Sequence, residues 1–277
     1  MSDAPEAPDS WITVEYLGRL AILIINRPHK LGALTKDGFY LLTQRLREID
    51  THDEVFITIL TGTGRFFSAG VDVSTSRPVE PGTDIWRDSL RETVSHTLNS
   101  TEAFYTHSKI LVTALNGPVV GIAAALISFS DFIFCAPHTY LLTPFTSLGL
   151  IAEGGASVGF VRRMGVTRAT EALLTSRKIL ADDLLACGFV NKIFEDCGEG
   201  EDEKLRERVI AHVDEILGEH LVGSSLLETK KFLLMGMKGQ IDQSLVAELM
   251  GGLKRQVLGI PQREFEKIRT GEKRHKL

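Results

Sequence analysis

Between Ile12 and Gly62 the hydrophobic pattern changes period twice, and this restricts the fold more than any other feature of the chain. "ITVEYLGRLAILIINRP" (12–28) first alternates apolar and polar residues. It turns at Gly18 and continues as an unbroken apolar run from Leu20 to Ile25. Alternation followed by a solid run reads as a hairpin whose second strand is buried. "TKDGFYLLTQRLREID" then sets Phe39, Leu42, Leu46 and Ile49 at helical spacing behind Thr35, a good N-cap. "VFITILTG" (55–62) is another buried strand. The order β-β-α-β implies a right-handed crossover and a partly parallel sheet.

Downstream, "TGRFFSAGVDVS" (63–74) reads as a loop, and a helix is expected from Thr83 to about His107, capped by Thr83. "KILVTALNG" is a strand, "NGPVVGIAAALISFSD" a turn into a helix starting near Gly121, and "FIFCAPHTYLLTP" further strand. From Ser157 the pattern is mainly helical, with a short apolar "FVNKIFE" and an acidic loop at 195–204. Helix then continues to about Arg269, with "ERVIAHVDEILGEH" as a packing face. The organisation expected is a floppy tail (1–10), a core (11–198), a C-terminal helical region (199–274) and a separate final tripeptide (275–277). No internal repeat or Pro/Ser-rich linker interrupts it.

Several classes are disfavoured. The net charge of -5 gives no general reason to expect a nucleic-acid partner. The apolar run from Ile110 to Phe134 is broken by Asn116-Gly117-Pro118, Gly121 and Asp131, which suits strand–turn–helix–strand better than a membrane span. Cys135, Cys187 and Cys197 lack metal-ligand or CxxC spacing and read as reduced thiols of an intracellular protein, with Cys135 in the core. "MSDAPEAPDS" has no apolar stretch, so no signal peptide is expected. Ser68 and Ser147 lack a nucleophile elbow, and His96, His107 and His138 have no triad context.

Two loops follow the same logic. "FFSAGVD" and "NGPVVGIAAAL" each follow a buried strand and place a glycine, Gly70 or Gly121, at a sharp turn. They are either ordinary βα turns or a pair of backbone N–H donors for a developing oxyanion. Glu153 stands in "LGLIAEGGASVGF" among Leu148, Leu150, Ile151 and Ala152, with no basic residue before Arg162. It is either an acid at a helix start or a carboxylate placed for chemistry.

"RPHKLGALT", "GTGRFFSAGVDV", "ALNGPVVGIAAAL" and "LGLIAEGGAS" occur in the order and spacing of the crotonase (enoyl-CoA hydratase/isomerase) superfamily. The chain resembles this superfamily over about 12–190, and most resembles the fungal peroxisomal Δ3,Δ2-enoyl-CoA isomerases. The resemblance implies an α/β fold, a crotonase-type ββα spiral with a C-terminal helical trimerisation region. It implies an acyl-CoA thioester substrate, no metal, no cofactor beyond the CoA of the substrate, and a homotrimer or hexamer. It places the oxyanion donors at the backbone N–H groups of Val71 and Ile122. Ser68, Ala69, Gly70, Asp72 and Gly121 would shape the substrate site, with Asp72 as a brace. Lys30 is either a phosphate contact or a solvated surface lysine. His96 or Asn99 could help position the base or the substrate.

The departures are equally informative. Hydratases that resemble this chain hold a water between two glutamates, and those positions are Ala125 and Phe145 here. Isomerases use one carboxylate, which corresponds to Glu153. The implied reaction is a 1,3-proton shift converting 3-enoyl-CoA to trans-2-enoyl-CoA in β-oxidation of unsaturated fatty acids. Dienoyl-CoA isomerisation, acyl-CoA hydrolysis and non-catalytic acyl-CoA binding are the alternatives. Finally, His275-Lys276-Leu277 resembles the Ser-Lys-Leu address read by the peroxisomal import receptor, which would put the protein in the peroxisome matrix. The other reading of these three residues is a chance basic tail.

Overall fold

The period changes translate into an edge hairpin and a parallel sheet. In the computed structural model, which describes residues 10–72, 74 and 82–273, β1 (Ile12–Leu17) pairs antiparallel with β2 (Leu20–Ile25). Helix α1 (Lys36–Asp50) crosses over, and β3 (Ile57–Gly62) lies parallel to β2. The Thr35 hydroxyl accepts the Gly38 N–H at 3.2 Å, so the expected cap is in place.

The helix expected from Thr83 to His107 is instead three pieces: α2 (Ile85–Ser89), a wide turn at Leu90–Val94 and α3 (Ser95–Tyr105). Asp84, not Thr83, is the cap. Its carboxylate accepts the Arg87 N–H at 3.1 Å and also meets the positive end of the helix. In the wide turn the Ser95 N–H reaches the Leu90 carbonyl, which inserts one extra residue.

The chain continues as β4 (Ile110–Leu115), β5 (Val119–Val120), α4 (Ile122–Ile127), β6 (Phe132–Cys135), β7 (Tyr140–Leu142) and α5 (Ala156–Thr175). After these come β8 (Ile179–Leu180), α6 (Ala181–Ala186), β9 (Lys192–Ile193), α7 (Asp202–Leu217), α8 (Gly223–Met235), α9 (Lys238–Val257) and α10 (Ile260–Arg269). The main sheet has the order β1-β2-β3-β4-β6-β9 and is parallel from β2 onward. Strands β5, β7 and β8 form a small second sheet. Helix α7 begins inside the acidic loop expected at 195–204, because Asp202 and Glu203 favour a helix N-terminus. Gly165 (φ 71°, ψ 164°) breaks α5 into two helical stretches.

Side-chain alternation divides the core into two layers. Leu23 and Ile25 of β2, Leu60 of β3 and Leu111 and Leu115 of β4 face a layer shared with α1, α3, α4 and α5. Ile57, Ile59, Ile110, Val112 and Phe134 face the other layer, closed by Leu205, Val209, Val213 and Leu217 of α7. Being buried on both faces, β2, β3 and β4 have no exposed residue and read as solid apolar runs. Cys135 lies fully in the core, as expected. The C-terminal helical region thus opens with a helix that completes the sheet, while α9 packs on α2, the wide turn and α5. Among the described residues no helix is long and apolar enough to cross a membrane. Residues 1–9 of the expected tail and His275-Lys276-Leu277 lie outside the described residues.

Candidate active site

The loops after β3 and β4 are laced together by their own backbones. The Phe67 and Ser68 N–H groups donate to the Pro118 carbonyl at 3.1 and 3.3 Å, and Val120 N–H donates to the Ser68 carbonyl at 2.9 Å. Gly70 lies in the left-handed region (φ 86°), and a Cβ there would stand 2.8 Å from the Val120 carbonyl oxygen. Only glycine permits this approach.

Following each backbone donor through the first loop isolates one residue. Ala69 N–H donates to Leu31, and Asp72 N–H donates to Leu34, at 2.8 and 2.9 Å. Gly70 N–H donates to the Ser68 hydroxyl at 3.1 Å. Val71, between them, has no acceptor for its N–H among the described residues. In the second loop, Gly121 N–H donates to the Leu142 carbonyl at 2.8 Å. Ile122 is the first residue of α4, so its N–H has no intrahelical acceptor.

Both N–H-bearing residues line a cavity of about 470 Å³, and Glu153 lines the same cavity. Its wall also includes Ala69, Gly70, Gly121, Phe145, His96 and Thr97. Glu153 precedes α5 but does not cap it. That task falls to Glu248 of α9, whose two carboxylate oxygens accept the Gly155 and Ser157 N–H groups at 2.8 and 2.9 Å. The Glu153 carboxyl has no hydrogen-bond or ionic partner among the described residues. Burial, and secondarily the like charge of Glu248, push its pKa up to about 7.

The expected site residues therefore separate into two groups. Ala69, Gly70, Val71, Gly121, Ile122 and Glu153 meet at one cavity. Ser68 and Asp72 stand behind it. The Ser68 hydroxyl is fully buried and donates to the Gly32 carbonyl at 2.8 Å. Asp72 pairs with Arg27 at 3.3 Å, and Arg27 also donates to Ala33 and stacks on Trp11. Burial opposes ionisation of Asp72, but hydrogen bonds from Ser74 and the charges of Lys30 and Arg27 hold its carboxyl below the usual range. Asn99 donates to Thr43 and ties α3 to α1, whereas His96 reaches the cavity. The Lys30 ammonium is 3.4 Å from the Ser74 hydroxyl and does not line the cavity. Ala125 and Phe145 are both buried, Phe145 in the cavity wall. Lys36, Gln256 and Phe265 also line the cavity, and sequence reasoning missed them together with Glu248. One signal for Glu248 was present: it interrupts the apolar stripe Ile241, Leu245, Leu249, Leu253 of α9. No group of three or more His, Cys, Asp or Glu that could hold a metal ion occurs among the described residues.

This arrangement of unpaired N–H groups and a partnerless carboxyl is joined by a match of residues 18–218 to the family described as enoyl-CoA hydratase/isomerase. The chain belongs to the enoyl-CoA hydratase/isomerase family. Over 275 residues, 96% of this chain and 98% of the relative, it is 51% identical to the Δ(3,5)-Δ(2,4)-dienoyl-CoA isomerase of Pyricularia oryzae. It is 29% identical over 272 residues, 94% of each chain, to the 3,2-trans-enoyl-CoA isomerase of Saccharomyces cerevisiae. The crystal structure of an enoyl-CoA hydratase/isomerase from Pseudoalteromonas atlantica T6c superimposes with a TM-score of 0.81 at 20% identity, covering 96% of this chain and 100% of that one. At that identity the likeness speaks for the fold alone. The crotonase-type α/β fold expected from the four motifs is thereby borne out.

Proposed function

We propose that this family member is an enoyl-CoA isomerase that moves a double bond by proton transfer through Glu153. The observation that carries the reading is a partnerless carboxyl, with its pKa near neutrality, in one cavity with two unpaired backbone N–H groups. Ionised Glu153 takes a proton from C2 of a 3-enoyl thioester. The electron pair moves into the carbonyl, and the enolate oxygen accepts hydrogen bonds from Val71 and Ile122. When the carbonyl re-forms, the C2–C3 double bond appears, the C3–C4 double bond is lost, and C4 takes the proton back from Glu153. The product is 2-enoyl-CoA, with atoms and charge balanced. Each donor is worth about 10²–10³ in rate, and a positioned acid–base group about 10²–10⁴.

A 1,3-shift suits a cavity in which Glu153 is the one carboxylate among the described lining residues. The name of the Pyricularia oryzae relative favours a second reading, the 1,5-shift of a 3,5-dienoyl-CoA. Hydration is the less favoured chemistry, because Ala125 and Phe145 offer no carboxylate to hold water. The test is a substrate panel. With 3-hexenoyl-CoA, a 3,5-dienoyl-CoA and 2-hexenoyl-CoA followed by ultraviolet absorbance, we expect turnover of the first and little hydration of the third. Turnover of the dienoyl substrate alone would establish the second reading, and acyl-CoA binding without any turnover would overturn both.

We also propose that His275-Lys276-Leu277 directs the protein to the peroxisome. A fluorescent fusion lacking these three residues is expected to remain cytosolic in cells without the native chain. Unchanged punctate fluorescence would reject the address.

A further inference from the structure

We propose that Glu248 is a positioning residue for Glu153: from α9 it clamps the turn that carries the base and sets a fixed negative charge beside it. This rests on the proton-shuttle reading above. Glu248 is buried, 7% exposed, within an otherwise apolar stripe. Such a position is costly for a carboxylate, so it needs compensation. The compensation is local. One oxygen accepts the Gly155 N–H at 2.8 Å and the other the Ser157 N–H at 2.9 Å, at the positive end of α5. Gly155 follows Glu153 by two residues, so the clamp fixes the turn from which Glu153 projects. A small void of about 30 Å³ is lined by both glutamates together with Thr97, Ala152 and Gln256. Glu153 thus stands between this void and the larger cavity.

Among the described residues no cation lines the void that the two acids share, and Lys36 stands on the wall of the larger cavity. On α9 itself, Arg255 donates to the Gly149 carbonyl, Lys238 pairs with Asp242, and Lys254 is exposed. On α5, Arg163 is committed to the carbonyls of Ser128, Ser130 and Phe189, and Arg162 is exposed. Arg87, Asp88 and Arg91 on α2 and the wide turn are exposed. On α3, Glu102 pairs with Arg47, and His96 lies on the cavity wall. On α10, Glu264 pairs with Lys267 and Lys273, Glu266 with Arg269, and Arg263 donates to the Leu258 carbonyl. The charge of Glu248 therefore reaches Glu153 unneutralised. It disfavours a second negative charge there, which strengthens Glu153 as a base. The two acids divide the work: one is saturated with N–H donors, and the other is left without a partner to carry the proton.

The discriminating readout is the pH profile of kcat/KM for the isomerised substrate. Glu248→Gln keeps the shape and removes the charge, and its acid limb is expected to move to lower pH by about half a unit or more. Glu248→Asp keeps the charge and should leave the limb near its native position, even where the stretched clamp lowers the rate. A residue that merely caps α5 would lower rate and thermal stability in Glu248→Gln without moving the limb, and that result overturns the proposal. Should Glu248→Gln not fold, carboxyl 13C NMR of the native protein and of Glu153→Gln decides the matter without turnover. A titration near pH 7 is expected in the first and absent in the second. Its survival in Glu153→Gln would show that Glu248 carries the proton, and the proposal fails. An isomerase that retains its native limb in Glu248→Gln would refute this inference alone. Absence of any isomerisation by the native chain would refute the parent reading instead.

Discussion

The Glu153→Gln protein is expected to fold, to bind acyl-CoA and to isomerise about 10³-fold more slowly, within the range of about 10²–10⁴ that a positioned acid–base group contributes. The native rate should fall as pH drops through about 7, because protonated Glu153 cannot take the C2 proton. The same pKa carries a stability signature. The carboxyl titrates near 7 in the folded chain against an ordinary value of 4.5. Below 4.5 both folded and unfolded chains hold the proton, so the site costs nothing. Between 4.5 and 7 the unfolded chain gives up its proton while the folded chain, where burial and Glu248 disfavour the charge, keeps it, so stability falls across this window and the full loss stands above 7. Gln cannot ionise and escapes this loss. At about 1.36 kcal/mol per pKa unit the ceiling is about 3 kcal/mol, and screening by solvent in the cavity reduces it to about 1–2 kcal/mol. Urea unfolding at pH 8 should therefore find Glu153→Gln more stable than the native protein, with the two converging near pH 4.5. A variant that is inactive yet no more stable at pH 8 would mean that the carboxylate is not electrostatically strained. A variant with a native rate would remove Glu153 from the chemistry.

Much of this was legible in the chain because it is local. Alternation at 12–17 and the solid run at 20–25 follow directly from a hairpin with one strand buried on both faces. The glycine loops and Glu153 are contiguous motifs, and Ala125 and Phe145 were informative through what they are not. What escaped depends on contacts distant in sequence. Val71 is left with an unpaired N–H because Leu34 takes both neighbouring positions, accepting from Asp72 and donating to Gly70. No pattern in "SAGVD" shows that. Lys36, Gln256 and Phe265 reach the cavity from α1, α9 and α10, whose packing is tertiary. The wide turn at Leu90–Val94 has no Pro or Gly to announce it. Glu248 was half legible: an acid in an apolar stripe demands a partner, but the stripe does not say which.

Gly70→Ala is expected to reduce kcat by about 10²-fold or more, the loss associated with misplacing one oxyanion donor. The reason is where its methyl group must go. At φ 86° the Cβ would lie 2.8 Å from the Val120 carbonyl oxygen. Val120 is tethered to Ser68 by a 2.9 Å hydrogen bond, so the second loop cannot retreat without disturbing the first. Relaxation therefore separates the N–H of Val71 from that of Ile122, while Glu153 on its distant turn stays in place. The left-handed conformation adds its own strain, and a stability loss of about 1–3 kcal/mol should accompany the rate effect. Val71→Ala is the control. Val71 is 48% exposed and the proposed donor is main-chain, so kcat should stay within about threefold of native. Measuring kcat, thermal unfolding and CoA-ester affinity for both variants separates the outcomes. If Gly70→Ala lost stability but kept its rate, the enolate oxygen would have to be held elsewhere. If Val71→Ala lost as much rate as Gly70→Ala, the valine side chain rather than its N–H would be what the substrate needs.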